Sequence, residues 1–125
     1  MKTEFIKLYF QLVNYMIIPE PIENEVKLLG GAEGIALRVV DDEKITKQSS
    51  IHHALSSSIR LKILNLLLVQ PLCVCLIKEI TKMPDSKLSY HLSILVDSGL
   101  IRREKSGNWI IYHPTEEGMK YKVEQ

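Results

Sequence analysis

Two groups of residues in this chain could do chemistry. Cys73 and Cys75, the only cysteines, stand one residue apart. Thiolates are soft ligands that favour zinc, cadmium, lead or trivalent arsenic, and a close pair can instead serve thiol redox chemistry. A thiol also packs as a small hydrophobe, so a purely structural pair is a third reading, and all three stay open. On a regular helix, side chains two residues apart point about 200° from one another. One ligand could therefore take both sulfurs only where the helix is just starting, and the helix dipole there would favour the thiolate. The second group is Ser86, Lys87, Ser89, Tyr90 and His91, followed by Arg102, Arg103 and Lys105 beside Ser106-Gly107-Asn108. Hydroxyls, a cation, a phenol and an imidazole in the first turns of one helix suit base-edge and phosphate contacts in a major groove. A basic hairpin suits phosphate or minor-groove contact, although alternate hairpin residues must face the core. The plainer readings are a solvated helix face and a charged exposed hairpin.

Elements that would position these groups are legible from the patterning. Ile51, Ala54 and Leu55, then Ile59 to Leu68, read as a mostly buried helix or helix pair, with Ser56-Ser57-Ser58 as a cap zone for its second half. Gln70-Pro71 closes it. A short helix follows from Cys73 or Val74 to Lys82, and Met83-Pro84-Asp85-Ser86 makes a turn into the next. That helix runs to Ser98 with Leu88, Leu92, Leu95 and Val96 inward, and Gly99 ends it. Leu100 to Lys105 and Trp109 to His113 read as two strands about the turn, with Trp109, Ile111 and Tyr112 as packing residues. Thr115 to Val123 can form a final short helix. Upstream, Phe5, Leu8, Leu12, Tyr15 and Met16 recur at helical spacing over Thr3 to Ile18, a helix ended by Pro19 and Pro21. Two short apolar runs between residues 22 and 47, separated by glycines, allow a small hairpin.

The order helix, short helix, tight turn, helix, hairpin is that of a winged helix-turn-helix. The expected fold is mainly α with a small β-hairpin wing, residues 48–125 forming the DNA-binding domain. Residues 1–47 form an N-terminal helix and extension whose apolar stripe is expected to build a dimer interface. Net charge is only +1, but residues 1–45 hold five Lys/Arg against eight Asp/Glu, and residues 46–125 hold eleven against seven. The basic balance thus lies where a DNA footprint would have to be. No apolar run reaches the roughly 18 residues of a membrane span. Lys2, Glu4, Lys7, Gln11 and Asn14 interrupt the apolar N-terminus, and no small-residue cleavage site follows, so a cytoplasmic location is expected. There is no nucleophile–base pair, phosphate loop or carboxylate pair, and an enzyme is not expected.

Three stretches resemble the ArsR/SmtB family of metalloregulatory repressors. Ala54-Leu55-Ser56 with Ile59-Arg60-Leu61-Lys62-Ile63-Leu64 is similar to the family's Ala-Leu-Ser helix end and the helix after it. Leu72-Cys73-Val74-Cys75-Leu76 is similar to its metal box. Lys87 to Leu95 with Ser98-Gly99-Leu100-Ile101 is similar to its recognition helix and entry to the wing. The resemblance covers residues 48 to 118 and implies a homodimeric repressor on a double-stranded DNA operator. It also implies release by a soft metal ion or arsenite at Cys73 and Cys75, with zinc and cadmium as further ligands and no required cofactor. The family's arsenic sensors often add a third cysteine three residues on, where this chain has Lys78, and Leu76 replaces the acidic residue after the box. Further ligands would have to be His52, His53, a group from another subunit, water or a free thiol. His113 and Glu116 have ligand-like spacing that is read as coincidence. A thiol-redox or ligand-independent regulator, or a protein-interaction winged helix, is the alternative.

Overall fold

The computed structural model describes residues 4–5 and 18–125. Of the helix expected over Thr3 to Ile18, only Glu4 and Phe5, which are helical, and Ile18 belong to the described residues; the rest lies outside them. The chain divides into two compact units, Met1–Asp42 and Glu43–Gln125.

In the first unit a 3-10 turn at Glu20–Ile22 leads into α1 (Glu23–Leu28), and α2 (Gly31–Ala36) follows. The hairpin considered for this region does not form. Val26 to Leu29 is too short to impose a strand, and its surroundings carry helix signals: Glu23 and Glu25 stand in the first turn of α1, and Lys27 Nζ meets Glu23 Oε1 at 2.8 Å one turn back.

The second unit begins within α3 (Asp42–Leu55) and continues through α4 (Ser58–Val69), β1 (Leu72–Cys73), α5 (Val74–Thr81) and α6 (Asp85–Asp97). It ends with β2 (Ile101–Ser106), β3 (Trp109–Pro114) and α7 (Glu116–Met119). The break between α3 and α4 falls in the serine run, where Ser57 is extended and its Oγ accepts from Arg60 N at 3.4 Å. Gly99, at φ 77°, lets the chain leave α6 in the left-handed conformation, with Leu100 N bonded back to Leu95 O at 3.1 Å. At the wing tip only Gly107 and Asn108 separate the paired Ser106 and Trp109, and Gly107 supplies the positive φ (60°) that so short a loop needs.

The sheet has a third strand that the patterning did not announce. Its order is β1-β3-β2, all antiparallel, with Leu72 opposite Tyr112 and Cys73 opposite Ile111. A two-residue strand has no period to read, so only its partner reveals it. The core joins every large element of this unit. Ile51 and Ala54 of α3, Ile63, Leu64 and Leu67 of α4, Ile77 of α5, and Leu88, Leu92 and Leu95 of α6 are buried with Leu100, Ile101 and Tyr112. Full burial of such an aliphatic side chain stabilises by about 1.5–3 kcal/mol. No helix of the described residues is long and apolar enough to cross a membrane.

α7 is shorter than the run to Val123 expected from the sequence. Thr115 Oγ1 caps it by accepting from Gly118 N at 3.1 Å, and donates to Gly99 O at 2.6 Å. Gly118 is buried where any Cβ would overlap the Leu100 carbonyl oxygen and meet Leu64 Cδ1 at 3.1 Å. Gly118→Ala should therefore destabilise the fold by about 1–3 kcal/mol in urea unfolding. An unchanged midpoint would mean that α7 is not held against Leu100.

Candidate nucleic-acid interface and cysteine pair

Helix α6 is split lengthwise. Leu88, Leu92 and Leu95 face the core, while Ser86, Lys87, Ser89 and Tyr90 are exposed in its first turns, Tyr90 by 62%. Asp85 begins the helix, and its carboxylate favours the positive N-terminal end. His91 is half-buried, its ring edge-on to Tyr90 at 5.4 Å between centroids. Arg60 NH1 lies 3.0 Å from His91 Nδ1. A guanidinium can only donate, so Nδ1 is the acceptor and the neutral ring carries its proton on Nε2. Burial first, then the charges of Arg60 and Lys87, hold the His91 pKa below the usual histidine value.

Arg60 is the residue that sequence reasoning passed over. It is the one charged or polar side chain buried among the described residues, at 6% exposure. Its Nε donates to Ala54 O at 2.7 Å and NH2 to His53 O at 3.4 Å, both carbonyls of the last turn of α3. The available signal was an arginine with apolar neighbours, Ile59 and Leu61, in a helix whose burial was otherwise read from its leucines.

Strand register sorts the wing's cations. Arg103 and Lys105 pair with Tyr112 and Ile110, so they share the sheet face that carries the buried Tyr112 and Ile101. The Arg103 guanidinium lies 5.8 Å from the centre of the Tyr112 ring. Arg103 and Tyr112 line a cleft of about 280 Å³ with Ser89, Ser93, Val96 and Asp97 of α6. Arg102 takes the other face, where Glu104 Oε2 receives Arg102 NH1 at 3.2 Å and His113 Nε2 at 2.9 Å. The structure thus brings Arg103 to a cleft shared with Ser89 and the C-terminal half of α6 and turns Arg102 away, toward a carboxylate. Trp109 is not the packing residue expected. It sits opposite Ser106 at the wing tip, 63% exposed, because the core contribution of β3 ends further along at Tyr112.

Cys73 and Cys75 stand where a strand becomes a helix. Cys73 is extended (φ −77°, ψ 162°) and occupies the cap position of α5, and Cys75 is the helix's second residue. The Cα atoms lie 5.4 Å apart, and the sulfurs are joined as a disulfide. Cys73 is half-buried, while Cys75 is exposed and borders a hollow of about 380 Å³ formed with Lys78, Lys82, Met83 and Pro84. Two links run from α5 to α6. Ile77 is fully buried in the core shared with Leu88, and Lys78 Nζ meets Asp85 Oδ1 at 2.9 Å. Ile80, near the end of α5, is 44% exposed. Among the described residues no three His, Cys, Asp or Glu side chains converge, and neither His52 nor His53 makes a ligand cluster with the cysteines.

Comparison with known proteins agrees with this geometry. Residues 57–103 match the model for bacterial regulatory proteins of the arsR family, a segment running from the α4 cap through α6 into β2. Over 79 residues, 62% of this chain, it is 35% identical to an uncharacterized HTH-type transcriptional regulator of Methanocaldococcus jannaschii, covering 89% of that protein. It is 49% identical over 45 residues to the arsenical resistance operon repressor of Bacillus subtilis, covering 36% of this chain and 43% of that one. A solved homodimeric winged helix-turn-helix DNA-binding domain from Mycobacterium bovis superposes with a TM-score of 0.58 at 26% identity, over 66% of this chain and 79% of that one. The first two of these carry the names of a transcriptional regulator and an operon repressor. The strand-flanked helix pair, the wing and the matched segment together place the chain in the ArsR family of winged helix-turn-helix transcriptional regulators.

Proposed function

We propose that the chain is a cytoplasmic homodimeric repressor that reads an operator in duplex DNA with the exposed first turns of α6. The reading is carried by one observation: Ser86, Lys87, Ser89 and Tyr90 are exposed on a helix whose opposite face is locked into the core, and Arg103 of the wing lines one cleft with Ser89. In this account Ser89, Tyr90 and His91 contact base edges, Ser86 and Lys87 contact phosphate, and Arg103 and Lys105 anchor the wing. Arg102 contributes charge only, since Glu104 already pairs with it. Tyr90→Ala should weaken specific operator binding more than non-specific binding, whereas Arg103→Ala should weaken both and reduce the salt slope by about one. Arg102→Ala should do less than Arg103→Ala. Equal operator affinity for all three variants and the natural chain, measured by salt-dependent gel shift, would remove the assignment.

One α6 spans too few base pairs, so two copies are required, with half-sites about one helical turn apart. The apolar stripe from Phe5 to Met16 is the proposed source of the dimer. A chain lacking residues 1–20 should be monomeric or aggregated in light scattering, and a soluble dimer of unchanged stability would place the interface elsewhere.

Cys73 and Cys75 are the proposed inducer site. Reduced, they offer two convergent soft donors at the start of α5, one on the exposed side, which fits a soft cation or trivalent arsenic that keeps an exogenous ligand. Oxidation is favoured as a second reading by the pairing of the two sulfurs. Either event would act on α6 through Ile77 and the Lys78–Asp85 pair. A coupling of this kind is worth about 5- to 150-fold in affinity, and an exposed ion pair with only two thiolates argues for the lower end. Operator affinity of the reduced protein should fall on adding arsenite or cadmium, and a Cys73→Ser, Cys75→Ser variant should not respond. Equal binding by both proteins, with and without these ions and under oxidising conditions, would leave the cysteines a structural role only.

A further inference from the structure

Arg60 is an expensive residue to bury. Its charge is met by the carbonyls of His53 and Ala54 and by His91 Nδ1, and none of these partners is a carboxylate. The two carbonyls belong to the last turn of α3, the negative end of that helix's dipole, which offsets part of the desolvation. An apolar side chain of similar volume would fill the same space without that penalty. What an apolar side chain could not do is fix the imidazole of a residue at the edge of the exposed face of α6.

We propose that Arg60 is a positioning residue that fixes His91 as a hydrogen-bond donor toward DNA, so that the ring accepts nothing and disfavours a cytosine edge. The inference rests on the reading of α6 as the DNA-contacting helix. A guanidinium has no acceptor and never gives up its proton in this range, so its bond to Nδ1 forces the Nε2–H tautomer of His91. Among the described residues Nε2 has no hydrogen-bond partner, while Nδ1 is committed. His91 therefore meets DNA as a donor only. A donor matches guanine O6 or N7, adenine N7, thymine O4 or a phosphate oxygen, and it is mismatched to the cytosine N4 amino group. Without Arg60 the ring could exchange tautomers and offer an acceptor, and this discrimination would be lost. The groups facing the ring are Arg60 from α4, Lys87 and Tyr90 from α6, and the His53 carbonyl from α3 through Arg60. Burial, and then the two cations, disfavour the imidazolium and so favour the neutral donor form.

The test has an arm without DNA and an arm with it. In the free protein labelled with ¹⁵N-histidine, long-range ¹H–¹⁵N spectra at pH 7.5 should show His91 as the Nε2–H tautomer. Arg60→Met should give mixed tautomers and a titration midpoint moved toward that of an unperturbed histidine. Arg60→Lys, which keeps a charge and a donor, covers the case in which the methionine variant fails to fold, and should retain part of the tautomer bias. A mixed or Nδ1–H tautomer in the natural chain overturns the proposal, whatever the protein does with DNA. In the second arm, duplexes are selected by the natural protein from a randomised pool and tested against His91→Asn and His91→Gln. Asparagine places an amide near Nδ1 and removes the outer donor, so its affinity should fall by about 2- to 10-fold, the worth of one hydrogen bond. Glutamine places its amide near Nε2, frees Arg60, and should relax discrimination at one base pair. A fixed Nε2–H tautomer together with unchanged affinity and selectivity in both His91 variants would overturn base selection while leaving the contribution of Tyr90 and Arg103 to DNA binding standing.

Discussion

Everything at the proposed DNA-reading surface depends on the burial of Leu88, Leu92 and Leu95. Three fully or almost fully buried leucines on a 13-residue helix hold one face of α6 against Ile63, Leu64, Leu67 and Ile77. At about 1.5–3 kcal/mol each, they outweigh any contact the exposed polar side chains make with one another. Rotation about the helix axis is thereby removed. The serines, Lys87 and Tyr90 have no freedom to turn inward, and a rigid helix with a fixed polar edge is what groove recognition requires.

The same core explains why a remote cysteine pair can matter to that edge. Cys73 opens α5 while paired to β3, the central strand of the sheet, so one residue belongs at once to the sheet and to the helix preceding α6. The inducer proposed for Cys73 and Cys75 would therefore act on a junction. In that proposal Ile77, buried in the core, would carry a displacement of α5 inward, and the Lys78–Asp85 pair would carry it to the first residue of α6. Packed interiors transmit such shifts because they have little free volume to absorb them. Arg60 adds a further link by tying His91 of α6 to the last turn of α3.

Much of this unit was legible in the sequence because its signals are local and redundant. The serine run, Pro84 with Asp85, Gly99 and the Gly107-Asn108 turn mark their own boundaries, and the leucine spacing of α6 names its buried face. Signals that depend on distant partners were not legible. β1 exists only because Tyr112 and Ile111 lie opposite Leu72 and Cys73. Arg60 was hidden by its apolar neighbours, and the separation of Arg103 from Arg102 required the register of β2 on β3. Between residues 22 and 47 two apolar runs were read as a hairpin, although the Glu23–Lys27 pair and the acidic first turn favoured the helix that forms. Trp109 shows the limit of composition: an aromatic residue in a strand is usually packing, but a hairpin projecting beyond its core has nothing to pack against at its tip.

The central claim, that α6 and the Arg103 face of the wing form the DNA-reading surface, is tested most directly by ¹H–¹⁵N shift mapping. The uniformly labelled protein would be titrated with a duplex selected from a randomised pool, at a salt concentration where specific binding persists. The account predicts that perturbed amides concentrate at residues 86–91 and 102–108, with smaller changes at Arg60 through its bond to His91. Perturbations confined to α1 and α2, or to the outer face of α4, with residues 86–91 unmoved, would contradict it.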